Sequence, residues 1–316
     1  MPEKLLNYEV IRTLGEGAAS TIYAVRDPET GRSFALKHVI RAKPKDIRFI
    51  EQMEDEYEIS RQFTHPNLRR SYDLKIHRSL LMKVTEAFLV MELIEGQPMD
   101  VRRPATVLET VLVFMRVAEG LGAMHQLGYV HCDIKPNNIL VGANGDVHVI
   151  DFGQSCKIGL VKKRIQGTPD YISPEQVNRQ PVVVQTDVYN LGATLYWALT
   201  GIPIPTLYTT NRGGSNSFLL DTMIKTPAEL NPLAPPALSK LVMDCIATRI
   251  DKRPADMAAV TTRLELSRHA MQKRPGDIAL DPEDSIGPAD YSASARPKDP
   301  PGPGGPPTVG APTTPA

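Results

Sequence analysis

Cysteine is scarce: Cys132, Cys156 and Cys245 are the only three among 316 residues. Thiols so few and so scattered exclude a disulfide framework or a zinc site. Net charge is missing as well. Lys plus Arg and Asp plus Glu both number 36, which argues against a nucleic-acid or membrane-surface binder working by bulk electrostatics. No apolar run approaches the roughly 20 residues that span a bilayer, and no basic-then-apolar leader opens the chain. No internal repeat is visible. These absences lead to the expectation of a reducing, cytoplasmic setting. What is present is core-forming material. The chain is 41% hydrophobic and 23% charged, which suits one large domain, or two lobes plus an appendage.

The appendage is residues 275–316. These 42 positions hold 11 of the 28 prolines and 6 of the 22 glycines, with few large apolar groups to offset chain entropy. Six acids against Arg296 and Lys298 leave a net of −4 there and +4 on 1–274. The segment reads as a disordered tail, either plainly solvated or a ligand for a proline-binding module through Pro300, Pro303 and Pro306. Ser292, Ser294 and Thr314 are its candidate phosphorylation sites.

Upstream, Tyr8 to Leu14, Thr21 to Val25 and Ser33 to Val39 alternate and are β-branched, which predicts strands. Ile47, Ile50, Met53 and Tyr57 follow helical spacing towards Phe63. Ala87 to Leu93 is a further strand. Val107, Leu108, Val111, Leu112, Met115, Ala118, Leu121 and Met124 trace the inward face of a long helix. Helical patterns dominate from there on: Val188 to Leu199, Leu238 to Ala247 and Met257 to Met271. A small β-rich part leads into a larger helical one.

Three groups of residues carry chemistry. Gly15-Glu16-Gly17-Ala18-Ala19-Ser20 joins two strands; its glycines let backbone N–H groups approach phosphates, though a plain hairpin reads the same way. His131-Cys132-Asp133-Ile134-Lys135-Pro136-Asn137-Asn138 places an acid, a lysine and an amide in one compact loop. Asp151-Phe152-Gly153 follows a short hairpin and adds a carboxylate, and hard oxygen ligands of this kind suit Mg²⁺.

With Gly167-Thr168-Pro169, Ser173-Pro174-Glu175, Asp187 to Gly192 and Asp251-Lys252-Arg253-Pro254 in the same order, residues 8–272 resemble the protein kinase family. The match is to its Ser/Thr branch and the bacterial eukaryotic-like members. The resemblance implies an α+β, bilobal fold. Residues 1–93 would form a small antiparallel β-sheet lobe with one main helix, and 94–274 a larger, mainly α-helical lobe. It implies ATP and Mg²⁺ (or Mn²⁺) as cofactors and Ser/Thr hydroxyls of proteins as substrates. Lys37 would hold phosphates and Glu56 would pair with it. Asp133 would accept the substrate proton, Lys135 would neutralise the γ-phosphate, and Thr168 would shape the site for a short alcohol. Asn138 and Asp151 would ligate the metal. Leu14, Gly15, Gly17 and Ser20 would cover the nucleotide, Ile22, Ala35 and Leu140 would sandwich the adenine, and Met91, Glu92 and Ile94 would form the hinge. Glu175 and Arg253 would form a buried ion pair.

Some positions depart from the family pattern. The third glycine of the phosphate loop is Ser20. Cys132 and Cys156 stand where arginine and a second basic residue often receive an activation-segment phosphate. Ser155 is the one hydroxyl between Gln154 and Gln166. A kinase independent of activation-segment phosphorylation is therefore expected, with a pseudokinase scaffold as the alternative. A small-molecule phosphotransferase lacks support, since the resemblance extends through the segment that docks a peptide. The two cysteines are expected to be neighbours, either packed as small hydrophobes or able to form a disulfide on oxidation. Ser60 and Ser71 fall at spine positions that are usually apolar, and a register shift that puts Ile59 or Tyr72 there is the simpler expectation. Lys157, Lys162, Lys163 and Arg164 form a basic cluster, either a solvated face or one that favours acidic substrates. Pro203 to Pro236 is too irregular to read beyond a docking surface.

Overall fold

β-branched alternation on both faces builds the first layer. In the computed structural model, which describes residues 3–17, 19–204 and 224–272, six strands form one antiparallel sheet. They are β1 (Lys4–Leu5), β2 (Tyr8–Glu16), β3 (Ser20–Arg26), β4 (Ser33–Ile40), β5 (Ser71–Arg78) and β6 (Val84–Glu92), in the order β1-β2-β3-β4-β6-β5. Successive side chains of a strand point to opposite faces. On β6, Ala87, Leu89 and Met91 pack with Ala35, Val39, Ile50 and Met53, beneath α1 (Ile47–Ser60). Phe88 and Val90 face the other way, onto Val25 and Leu36. Both faces of β6 are covered, so Ala87 to Met91 reads as a continuous apolar run.

The larger half is helical. It contains α2 (Val107–Gln126), α3 (Pro174–Val177), α4 (Val184–Thr200), α5 (Pro227–Leu230), α6 (Pro236–Cys245) and α7 (Met257–Gln272). Short strands β7 (Gln97–Pro98), β8 (Tyr129–Val130), β9 (Ile139–Val141), β10 (Val147–Val149) and β11 (Cys156–Lys157) sit between them. Thr106 caps α2 by accepting a hydrogen bond from the Glu109 N–H at 3.0 Å. The inward face of α2 differs from the expected one. Leu112 is 46% exposed, while Phe114 and Val117 are fully buried. Contacts from both the hairpin side and the α7 side give this helix an apolar arc wider than a single stripe.

Of the two residues expected to fill the spine positions, Ile59 enters the core that holds Phe152 and Tyr72 does not. Ser60 and Ser71 are both buried and their hydroxyls lie 2.6 Å apart, while Tyr72 is 40% exposed and Ile59 joins the core of the helical half. Two hydroxyls that satisfy each other can occupy an apolar position at little cost. The tail, with Ser292, Ser294 and Thr314, and most of Pro203 to Pro236 lie outside the described residues. No described helix is long and apolar enough to cross a membrane.

Candidate active site

A buried carboxylate fixes the central loop. Asp187 on α4 accepts hydrogen bonds from the backbone N–H groups of His131 and Cys132, both at 2.8 Å, and pairs with His125 Nε2 at 2.8 Å. To present both amides to one carboxylate the loop turns at Cys132, whose φ is +66°, in the left-handed region that L residues seldom adopt. Burial disfavours the Asp187 anion, but the His125 hydrogen bond and the loop amides outweigh it, so its pKa is lowered. Replacing Asp187 by asparagine is expected to cost about 2 kcal/mol, since it removes charge-assisted bonds. A carboxyl with a depressed folded pKa adds stability above its unfolded value. The gap between the two proteins in denaturant unfolding should therefore narrow as pH falls below about 4.

The loop then places its polar groups. Asp133 is 7% exposed. Its Oδ1 accepts from the Thr168 N–H at 2.9 Å and the Thr168 hydroxyl at 2.8 Å; its Oδ2 accepts from Lys135 Nζ at 2.9 Å. Lys135 Nζ also donates to Thr168 Oγ1 at 2.7 Å. Asn138 Nδ2 donates to the Asp133 carbonyl at 2.9 Å. The amide group thus turns its nitrogen inward and leaves its oxygen as a candidate metal ligand. His131 accepts at Nδ1 from the Asp133 N–H and meets the Ile150 carbonyl through Nε2. That pattern fits a neutral ring, and burial lowers its pKa.

Across the same space, Lys37 Nζ on β4 lies 2.7 Å from Glu56 Oε2 on α1 and 3.5 Å from Asp151 Oδ1. Burial would lower the Lys37 pKa, but Glu56 and Asp151 outweigh it and raise it. Asp151 turns at φ +64°. Desolvation would raise its pKa, yet Lys37, Arg69 and Lys135 hold it at about 2. Its side chain keeps 45% of its surface exposed, and it opens into a cavity of about 250 Å³ that Ser20, Lys37, Asp133 and Lys135 also line. An ionised, accessible carboxylate such as Asp151 is the kind of oxygen donor that a hard divalent cation takes; Asn138 is buried and does not line this cavity. Among the described residues no three His, Cys, Asp or Glu side chains could hold a metal by themselves.

The remaining expected contributors do not line this cavity. Gly15 and Ile22 pair across β2 and β3, and Ala35 pairs with Met91 across β4 and β6. Leu140 sits on β9 opposite His148, Leu14 is 38% exposed at the sheet edge, and Glu92 ends β6 just before Ile94. Gly17 donates its N–H to the Ser20 carbonyl at 2.7 Å.

Gln176 ties the segment after Asp151 to the central loop. Gln176 Nε2 donates to the Cys132 carbonyl at 2.7 Å and the Gln166 carbonyl at 3.1 Å. Ser155 is 7% exposed, and its hydroxyl turns towards the His131 carbonyl at 3.4 Å. Cys132 and Cys156 are in contact. The hydrogen bond between them, and then burial, raises the Cys132 pKa, while the same bond lowers that of Cys156. Of the basic cluster, Lys162 donates to the Gln154 carbonyl, and Lys157, Lys163 and Arg164 are exposed.

Sequence reasoning did not single out Arg69, Gln176, Gln52 or the partners of Asp187. For Asp187 a signal existed, an acid early in an otherwise apolar helix. For Arg69 there was none, since Arg69-Arg70 after His65-Pro66-Asn67 reads as a solvated loop.

A family model described as the protein kinase domain matches residues 8–264. A probable serine/threonine-protein kinase, pknA2, of Bifidobacterium longum is 28% identical over 81% of this chain and 34% of its own length. The DNA damage-responsive serine/threonine-protein kinase RqkA of Deinococcus radiodurans is 28% identical over 90% of this chain and 44% of its own length. The chain thus spans less than half the length of these bacterial relatives. With a domain model covering most of its length and the curled sheet above a helical half, the chain belongs to the protein kinase family.

Proposed function

We propose that this chain is a serine/threonine protein kinase, which transfers the γ-phosphoryl group of ATP to Ser or Thr hydroxyls of proteins. The observation that carries the reading is the shared cavity. Asp133, oriented by Thr168 and Lys135, faces the Lys37–Glu56–Asp151 cluster across about 250 Å³. Asp133 would accept the proton of the incoming alcohol, and Lys135 would offset charge on the transferring group. Lys37 would hold the α- and β-phosphates under the Gly15–Ser20 loop. Ile22, Ala35 and Leu140 would sandwich the base beside Met91, with Glu92 and Ile94 offering main-chain groups. Asn138 and Asp151 would hold Mg²⁺, which when bound screens the phosphate charge.

The reading includes independence from activation-segment phosphorylation. The hydroxyl of Ser155 is buried, Cys132 and Cys156 offer no guanidinium for a phosphate, and Lys162 is already engaged by Gln154. Incubation with γ-labelled ATP, Mg²⁺ and a generic acceptor protein should yield phosphoserine or phosphothreonine, with Ser155→Ala within about twofold of the parent. Labelling no greater than that of Asp133→Asn would sink the transferase reading and favour a binding scaffold. Loss in Ser155→Ala that Ser155→Asp restores would sink the phosphorylation-independent part alone.

A further inference from the structure

Each oxygen of the Glu56 carboxylate has its own cation. Lys37 Nζ lies 2.7 Å from Oε2, and on the opposite side Arg69 Nη2 lies 3.4 Å from Oε1. The Arg69 side chain is 7% exposed and that of Glu56 1%. A buried guanidinium is unfavourable unless carboxylates surround it. Here Lys37 and Arg69 balance Glu56 and Asp151, whereas Lys37 alone would leave the set one charge short.

The backbone around Arg69 belongs to the helical half. Its N–H donates to the Val149 carbonyl at 3.1 Å, and the Val149 N–H donates to the Asn67 carbonyl at 2.8 Å. Asn67 Nδ2 reaches the Val147 carbonyl at 2.7 Å, and Leu68 and Val149 form a parallel bridge. On α2, a Cβ at Gly120 would come within 3.2 Å of the Asn67 carbonyl, so the helix backbone itself backs this loop. Glu56, in contrast, rides on α1, which packs against the sheet. Arg69 therefore reaches from a loop stitched to β10 across to the helix of the other half. Gln52 Nε2 makes a second such tie, to the Gly153 carbonyl at 3.1 Å.

A polar pair also fixes α1 against β5, beside the apolar contacts that Ile59 and Phe63 make with Leu68 and Phe152. Ser60 bonds Ser71 at 2.6 Å. Hydrogen bonds and ion pairs are directional, so few positions of α1 satisfy all of them together.

We propose that Arg69 is a positioning residue for phosphoryl transfer. By holding Glu56 Oε1 from the β10-anchored loop, it keeps Oε2 on Lys37 and so keeps Lys37 aimed at the nucleotide without a phosphate on the activation segment. The proposal deepens the kinase reading of the same site and rests on it.

The test is Arg69→Leu, Arg69→Gln and Arg69→Lys, each made in the parent chain and in Glu56→Gln. KM for MgATP and kcat come from labelled-phosphate transfer, MgADP affinity from titration calorimetry, and melting temperature from the same preparations. Arg69→Leu and Arg69→Gln should weaken MgADP binding and raise KM for MgATP by about tenfold, because the carboxylate loses one of its two partners. Arg69→Lys should recover to within about threefold. In the Glu56→Gln background, removing Arg69 should change either quantity less than about twofold, since the two residues act as one unit.

A merely structural arginine would lower melting temperature in both backgrounds and leave affinity alone. MgADP affinity that stays at the parent value in Arg69→Leu, or an equal loss in both backgrounds, would overturn the proposal. If Arg69→Leu does not fold, Arg69→Gln decides by the same criteria. Failed transfer by the parent chain with Arg69-dependent affinity would sink the transferase reading alone. Intact transfer with Arg69-independent affinity would sink this one alone.

Discussion

Asp133→Asn is expected to lower kcat for labelled-phosphate transfer by about 10³-fold, within the 10²–10⁴ span typical of a removed general base. Asparagine keeps the shape of the site, and its carbonyl can still accept from the Thr168 N–H. Its NH₂ group, however, would face Lys135 Nζ, which donates to Oδ2 in the parent protein at 2.9 Å. A donor would then meet a donor, and the group that takes the alcohol proton would be gone. MgATP affinity should change by less than about threefold, because the Lys37–Glu56–Asp151 cluster has no direct bond to the Asp133 carboxylate. A kcat within tenfold of the parent, at unchanged affinity, would show that Asp133 is not the base.

The residues of this site that sequence reasoning reached without the family resemblance are those whose spacing is set by short, rigid local structure. Asp133, Lys135 and Asn138 lie within one loop, and Asp151 is returned to them by the β9–β10 hairpin, so order along the chain nearly fixes neighbourhood. Lys37 and Glu56, 19 residues apart and 2.7 Å from each other, were reached only through the family resemblance. Glu175 and Arg253 lie 78 residues apart and were legible only through the family resemblance, not from any local pattern.

Arg69 was illegible for a physical reason. Charged loop residues are nearly always solvated, and what buries this one is a carboxylate on another element. Ser60 and Ser71 misled in the same way. Each alone is a polar residue at an apolar position, and only the contact between them removes the conflict. Leu112 is the converse case, since α2 meets neighbours around a wide arc and helical periodicity could not say which residue faced outward.

Arg253→Met should produce the largest loss of stability. All five guanidinium N–H groups have acceptors in the parent protein. Nε meets the Ala247 carbonyl at 2.8 Å, one NH₂ meets Glu175 Oε1 at 2.8 Å and the Gln185 carbonyl at 2.9 Å, and the other meets Glu175 Oε2 at 3.0 Å and the Thr248 carbonyl at 3.2 Å. The Arg253 side chain is 0% exposed and that of Glu175 1%. Removing the cation strands a buried carboxylate and three carbonyls, at a cost of about 3–5 kcal/mol. For a domain of this size that lowers the melting temperature by about 10 °C. Glu175→Met combined with Arg253→Met should cost less than the sum of the single changes, because no buried charge is then left alone. Glu175 also accepts from Thr186 at 2.8 Å, and its neighbour Gln176 holds the Cys132 carbonyl. Loosening the pair should therefore raise KM for the protein acceptor more than KM for MgATP. A melting temperature within about 2 °C of the parent, or strict additivity in the double variant, would mean that the pair does not anchor this segment.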